Sequence, residues 1–228
     1  MHVEIWSDIA CPWCFVGKRR FEAALAQFEH HDDVRVTWRS FELDPAAPHE
    51  RTGERAAHLA EKYGTTVERA REMEAQMTQT AAGDGLAFDF AAARGGNTFD
   101  AHRLVHLAEA NGRQDAMKER LFSAYLEQGE LISDDATLAR LAVEVGLPGD
   151  EVEELLAGDR FAAEVRDDER TAASLGINAV PFFVVDRAMG ASGAHPPAAL
   201  LSLLEQGWAK RPPLQMVAEG DTCGIDGC

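Results

Sequence analysis

Two cysteines three positions apart, Cys11 and Cys14, carry the most distinctive chemistry in the sequence. They flank Pro12 and Trp13, directly after a short apolar segment and directly before a helical pattern. Two sulfurs at this spacing on the first turn of a helix can close a disulfide. The first faces the free backbone N–H groups of the helix start, which favour a thiolate over a thiol. Thiolates so placed have pKa values of about 3.5–7.5 rather than about 8.5, and the thiolate is the form that attacks a disulfide. The pattern points to thiol–disulfide exchange, with Cys11 the more exposed and more acidic sulfur and Cys14 buried behind it.

Cys223 and Cys228 form a second close pair near the other end of the chain. Gly224 and Gly227 lie between them and relax the turn that ring closure needs. The pair is expected to exchange with Cys11 and Cys14 as a secondary redox centre. Four thiolates would also suit a structural zinc, but a C-x4-C in a terminal tail and a C-x-x-C at a strand–helix turn lack the spacing of a zinc knuckle. No metal is expected. His102 and His106 stand at i, i+4, a metal-ligand spacing, yet Arg103 occupies the place where a zinc protease needs glutamate. They read as ordinary helix-surface or cleft histidines. Met73 and Met77 read as core, and Gly83-Asp84-Gly85 and Gly95-Gly96 as turns without the flanking strand and helix of a phosphate loop.

The elements that must position the dithiol follow from periodicity. Residues 3–6 suit a short strand, ended by Ser7-Asp8, and residues 11–28 a helix with Pro12 in its first turn. Phe21, Leu25 and Phe28 give that helix its apolar stripe. Residues 34–41 alternate as a strand that Asp44-Pro45 ends. From about residue 53 to 157 every signal is helical, with Thr65 and Glu68 as one capping box and Ser133 as another cap. A helix over 159–175, an apolar strand over 180–185, a short strand over 189–194 and a helix over 197–206 close the pattern. The fold class is therefore α/β, a thioredoxin-like fold with an all-helical domain inserted after the second strand. The expected organisation is 1–50 and 158–210 for the two parts of the thioredoxin-like domain, 51–157 for the helical insertion, and 211–228 for a flexible tail. Pro181 opens a strand at the cost of a ladder donor, and beside a dithiol it is expected to be cis.

The 22 Lys and Arg against 39 Asp and Glu give a formal charge of −17, which argues against nucleic acid and anionic membrane as partners. No stretch reaches the ~18 apolar residues of a membrane span. The segment from Met1 to Trp6 has neither the basic nor the apolar region of a signal peptide, so a cytoplasmic location is expected.

Three segments together, residues 7–14, 97–104 and 180–183, resemble the DsbA-like thioredoxin family, in particular its FrnE-type cytosolic branch. The resemblance spans nearly the whole chain. It implies Cys11 as nucleophile, Cys14 as resolving thiol and Pro181 as a cis-proline, with Val180 meeting substrate through its backbone. Pro12, Trp13, Val180 and Pro181 are then the substrate-binding surface. The implied partners are thiol- or disulfide-containing proteins or glutathione, with no cofactor besides glutathione as a redox partner. FrnE-type proteins also carry a terminal C-x4-C. The chain lacks the histidine that the strongest oxidants place between their cysteines, so its potential is expected between about −270 mV and about −120 mV. The same fold family holds kappa-type glutathione transferases and 2-hydroxychromene-2-carboxylate isomerases, which use a single Ser in place of Cys11. Retention of both Cys11 and Cys14 argues against that class. A non-catalytic holdase using an apolar groove between insertion and core is the remaining reading.

Overall fold

The first strand, β1 (His2–Ser7), pairs in parallel with β2 (Arg35–Ser40), from His2 opposite Arg35 to Ser7 opposite Ser40. A parallel pair needs a crossover, and α1 (Pro12–Leu25) supplies it. The computed structural model describes residues 1–210, so Cys223, Cys228 and the expected tail 211–228 lie outside the described residues. β3 (Phe182–Val185) joins the other edge of β1 antiparallel, and β4 (Met189–Ser192) pairs antiparallel with β3. The sheet order is β2-β1-β3-β4. β1 is therefore central, and burial of Val3, Ile5 and Trp6 on its two faces follows from that place.

Between β2 and the returning strand lie α2 (Arg55–Tyr63), α3 (Val67–Gly83), α4 (Phe99–Ala110), α5 (Gln114–Leu126), α6 (Asp135–Glu144) and α7 (Gly149–Ala157). Then come α8 (Ala162–Ser174) before β3, and α9 (Pro197–Ala209) after β4. This is the α/β order expected, with helices inserted after the second strand. One continuous core joins the two parts, Phe15 of α1 stacking on Phe122 of α5 with ring centroids 5.0 Å apart, while Phe21 packs α1 on Phe183 of β3 at 5.6 Å.

Several element boundaries differ from the sequence reading. The cap of α3 is Thr66 rather than Thr65: Thr66 is the extended residue, and its hydroxyl accepts from the Arg69 N–H at 3.1 Å. Likewise Asp134, not Ser133, caps α6 through the Thr137 N–H at 2.8 Å, while the Ser133 hydroxyl turns to the His49 carbonyl. α1 ends at Leu25, and Phe28 fills the core from the turn beyond it. α8 begins later than expected because Phe161 precedes it at φ 64°, a left-handed conformation that breaks continuity with the chain before it.

Gly17 sets how closely α1 seats on the sheet. A Cβ there would lie 2.9 Å from Pro181 Cγ and 3.5 Å from Phe183 Cζ. Overpacking of this kind costs about 1–3 kcal/mol. Gly17→Ala is therefore expected to lower the denaturant midpoint by that order without changing the slope of the transition. An unchanged midpoint would show that α1 and the Pro181 loop shift apart freely.

Candidate active site

Cys11 occupies the N-cap of α1 in an extended conformation, with φ −91° and ψ 111°. Pro12 follows in the first turn, where its missing N–H is no loss. The Cys11 N–H donates to the Asp8 carbonyl at 3.1 Å, and the Cys14 N–H to the Cys11 carbonyl at 3.0 Å. Both thiols are free. Cys11 is 5% exposed and Cys14 is fully buried, while the Trp13 ring between them stands out at 45%. The Val180–Pro181 bond is cis, and the Cys11 thiol donates to the Val180 carbonyl at 3.7 Å. Cys11, Pro12, Trp13, Cys14, Val180 and Pro181 thus meet at one point, 169 residues of sequence apart at the widest contact.

The electrostatics are asymmetric. Burial pushes the Cys14 thiol well above its ordinary range, and its contact with Cys11 adds to this. A hydrogen bond from the Asp8 backbone and the charge of Lys118 pull the other way. Burial also opposes ionisation of Asp8, but donation from His102 and from the Leu43 and Ala10 N–H groups outweighs it, and the carboxyl lies below its usual range. His102 is drawn down by burial despite Asp8 and is therefore neutral near pH 7. Lys118 is drawn down by burial to about 8, although Cys14, Asp8 and Cys11 favour its charged form. A cleft of about 510 Å³ opens beside Asp8 and Ala10, walled by Leu43, Arg51, His58 and Tyr125.

A family model described as a DSBA-like thioredoxin domain matches residues 2–205. The chain belongs to this family. The DsbA-like fold agrees closely with the crystal structure of a probable DsbA oxidoreductase from Streptomyces coelicolor, 46% identical over 100% of this chain and 98% of that one, with a TM-score of 0.90. The cytosolic disulfide reductase DsbM of Pseudomonas aeruginosa, solved with GSH, shares the fold at 20% identity and a TM-score of 0.64, covering 92% of this chain and 100% of that one. An uncharacterized protein of Bacillus subtilis, YwbO, is 28% identical over 81% of this chain and 86% of its own. Among the described residues no helix is long and apolar enough to cross a membrane, and no group of three or more His, Cys, Asp or Glu is placed to hold a metal.

The sequence reading missed what surrounds the dithiol in this DsbA-like chain. Lys18, Arg19 and Arg20 follow Cys14 on α1, but each turns to carboxylates: Lys18 and Arg19 to Glu22 and Glu119, and Arg20 to Asp84. The cation whose charge acts on Cys14 is Lys118 of α5, which donates to the Ser7 carbonyl at the end of β1. Its signal was available, because Lys118 shares a helix face with Gln114, Leu121, Phe122 and Tyr125, all buried. His102 and His106 are not surface histidines. Both are buried, His102 Nε2 lying 3.4 Å from Asp8 Oδ1 and His106 Nε2 3.1 Å from Asp168 Oδ2.

Glu42 completes the inner rim. Its side chain is buried against Arg166, one of its oxygens has no hydrogen-bond partner among the described residues, and its backbone N–H donates to Glu169 at 3.2 Å. Burial, with the charges of Glu169 and Asp8, pushes its pKa up to about 7 in spite of Arg166.

Two measurements test this picture. Limited alkylation near neutral pH is expected to label Cys11 well before Cys14, which is the more buried sulfur and whose thiol burial pushes well above its ordinary range; preferential labelling of Cys14 would reverse the assignment. Glu42 has a folded pKa above its unfolded value, so its contribution to stability is present in full below about 4.5 and is lost as pH rises through about 7. That loss has a limiting slope of about 1.4 kcal/mol per pH unit for one proton. Glu42→Gln should flatten stability against pH across this window, and an unaltered curve would mean that Arg166 keeps Glu42 ionised.

Proposed function

We propose that this chain is a FrnE-type thiol–disulfide oxidoreductase of the cytoplasm, working through Cys11 and Cys14. The observation that carries the reading is the pair of free thiols of unequal exposure beside the cis Val180–Pro181 bond. The Cys11 thiolate attacks a substrate disulfide in line, forming a mixed disulfide and releasing one substrate thiol. Cys14 then attacks the Cys11 sulfur, closes the Cys11–Cys14 disulfide and releases the second thiol. Run backwards, the same steps oxidise a substrate dithiol, so the direction follows the relative potentials of the two couples.

Substrate enters over Trp13 and the Val180 backbone. The Val180 carbonyl faces Cys11 just before β3 begins. An extended segment laid along Val180 would present its sulfur to Cys11, with Trp13 and Leu43, both exposed, offering apolar contact. The cleft beside Ala10, with Arg51 and Lys62 on its wall, has the size and the cationic groups for a small thiol bearing carboxylates, such as glutathione. The solved complex of DsbM with GSH supports that class of partner, as does the dithiol itself. The isomerase reading needs one side chain at the Cys11 position beside which the glutathione thiol binds, and gives no role to Cys14.

Insulin or glutathione disulfide turnover tests the assignment. Cys11→Ser is expected to abolish it, whereas Cys14→Ser should accumulate a mixed disulfide at Cys11 that mass spectrometry detects. Wild-type turnover by Cys11→Ser would overturn the reading.

A further inference from the structure

The chain buries two lysines and surrounds them differently. Lys18, 2% exposed, has Glu22, Asp115 and Glu119 all within ion-pair distance. Lys118 is fully buried, and among the described residues no carboxylate lies within ion-pair distance of it. Among the described residues its Nζ donates only to the Ser7 carbonyl, at a long 3.4 Å, and stands 5.2 Å from the Phe122 ring centroid and 5.8 Å from that of Trp38. Ring faces offset a part of the desolvation of an ammonium, but only a part. A buried cation without its anion is expensive to fold around, so its anion has to be sought among its neighbours.

Lys118 Nζ lies against the Ser7 carbonyl at the end of β1, one residue before the Asp8 turn on which Cys11 and Cys14 hang through their backbone hydrogen bonds. The charges that act on it or that it acts on are those of Asp8, Cys11, Cys14, His102 of α4 and Asp168 of α8. The two carboxylates are already engaged. Asp8 accepts from Ala10, Leu43 and His102; Asp168 accepts from Ser40 and is paired with Arg39 and His106. His102 is uncharged near neutral pH. What remains is a sulfur that has no charge in the resting dithiol and acquires one during the reaction.

We propose that Lys118 is the counter-charge of Cys14, its ammonium stabilising the Cys14 thiolate as that sulfur attacks the mixed disulfide at Cys11. The proposal rests on the oxidoreductase reading and deepens it. In this step Cys14 loses its proton, the Cys14–Cys11 bond forms, and the bond from Cys11 to the substrate sulfur breaks. The electron pair leaves on the substrate sulfur, which takes up one proton, so the proton count is unchanged. Lys118 neither gives nor receives a proton and touches no reacting bond; it is a positioning residue acting through the charge of Cys14. Burial without an ion pair makes it effective, since the field of the ammonium is little screened there. Because its pKa is about 8, the ammonium is present at neutral pH.

The test separates the two chemical steps in the full chain by rapid mixing with glutathione disulfide. In Lys118→Met, resolution by Cys14 is expected to be about tenfold slower near neutral pH, its pH profile displaced about one unit to the alkaline side. Lys118→Arg, which keeps the charge, should restore most of the rate and the profile. If the wild type resolves its mixed disulfide and Lys118→Met does so with the same pH profile, the proposal is overturned. If the wild type forms no mixed disulfide at all, the oxidoreductase reading fails first and takes this proposal with it. Should Lys118→Met not fold, Lys118→Gln, which keeps a donor for the Ser7 carbonyl but removes the charge, takes its place in the same measurement. The same tenfold slowing and alkaline displacement are expected, and a rate and pH profile equal to those of the wild type would overturn the proposal.

Discussion

Asp8 puts one buried carboxylate at the meeting point of three elements: Oδ1 accepts from the Ala10 N–H at 3.3 Å and lies 3.4 Å from His102 Nε2, while Oδ2 accepts from the Leu43 N–H at 2.8 Å. An ionised carboxylate without donors would be untenable in this interior, so folding fixes the β1–α1 turn, the exit of β2 and α4 relative to one another. The dithiol inherits that geometry, because the Asp8 carbonyl accepts from Cys11 and the Asp8 backbone reaches the Cys14 sulfur. Asp168 repeats the device one helical turn along α4. It receives the Ser40 N–H, pairs with Arg39 and lies beside His106, and its own carbonyl accepts from Trp6 Nε1 at 2.9 Å. The i, i+4 spacing of His102 and His106 is thus a clamp of two buried aspartates on one helix, which explains why it resembles a metal pair and holds none of the further ligands.

The chain's local signals and its long-range ones were legible to very different degrees. Strand alternation, the Pro12 helix start and the apolar run at residues 182–185 identify the α/β order because each is a property of neighbours in sequence. Caps were readable only to within one residue, since Thr65-Thr66 and Ser133-Asp134 each offer two side chains of capping type and backbone conformation chooses between them. The dithiol and Pro181 were legible as motifs. The charges around them were not: His102 meets Asp8 across 94 residues and Lys118 meets Ser7 across 111. Periodicity shows that a polar residue sits on a buried face; it does not show which distant atom answers it.

The helices between β2 and α8 are more than an attachment to the sheet. α4 contributes His102, α5 contributes Lys118 and Tyr125, and α2 contributes His58 to the cleft wall. A minimal strand–helix–strand unit would leave Cys14 among apolar side chains alone, with burial opposing its ionisation and nothing countering it but the Asp8 backbone. The inserted helices therefore alter the chemistry available to the second sulfur, while the first keeps the small exposure, 5%, through which a substrate must reach it.

How α5 is held decides whether that works. Gln114 hydrogen-bonds both to the Trp38 N–H at 2.9 Å and to the Trp38 carbonyl at 3.0 Å, so the start of α5 docks on β2 as a strand would. Asp115 receives Trp38 Nε1 at 3.0 Å and pairs with Lys18, and Glu119 pairs with Lys18 and Arg19 of α1. Partly exposed pairs of this kind are worth about 0–1 kcal/mol each and do little for stability singly. Their effect is on rotation. Successive residues of an α-helix are about 100° apart, so slippage of α5 by one position would carry Lys118 from the core towards solvent and could bring Glu119 inward. Glu119 there would set a carboxylate against the Cys14 thiolate instead of a cation. The acidic edge of α5 fixed against the basic edge of α1 excludes that register, and the polarity of the dithiol's surroundings depends on it.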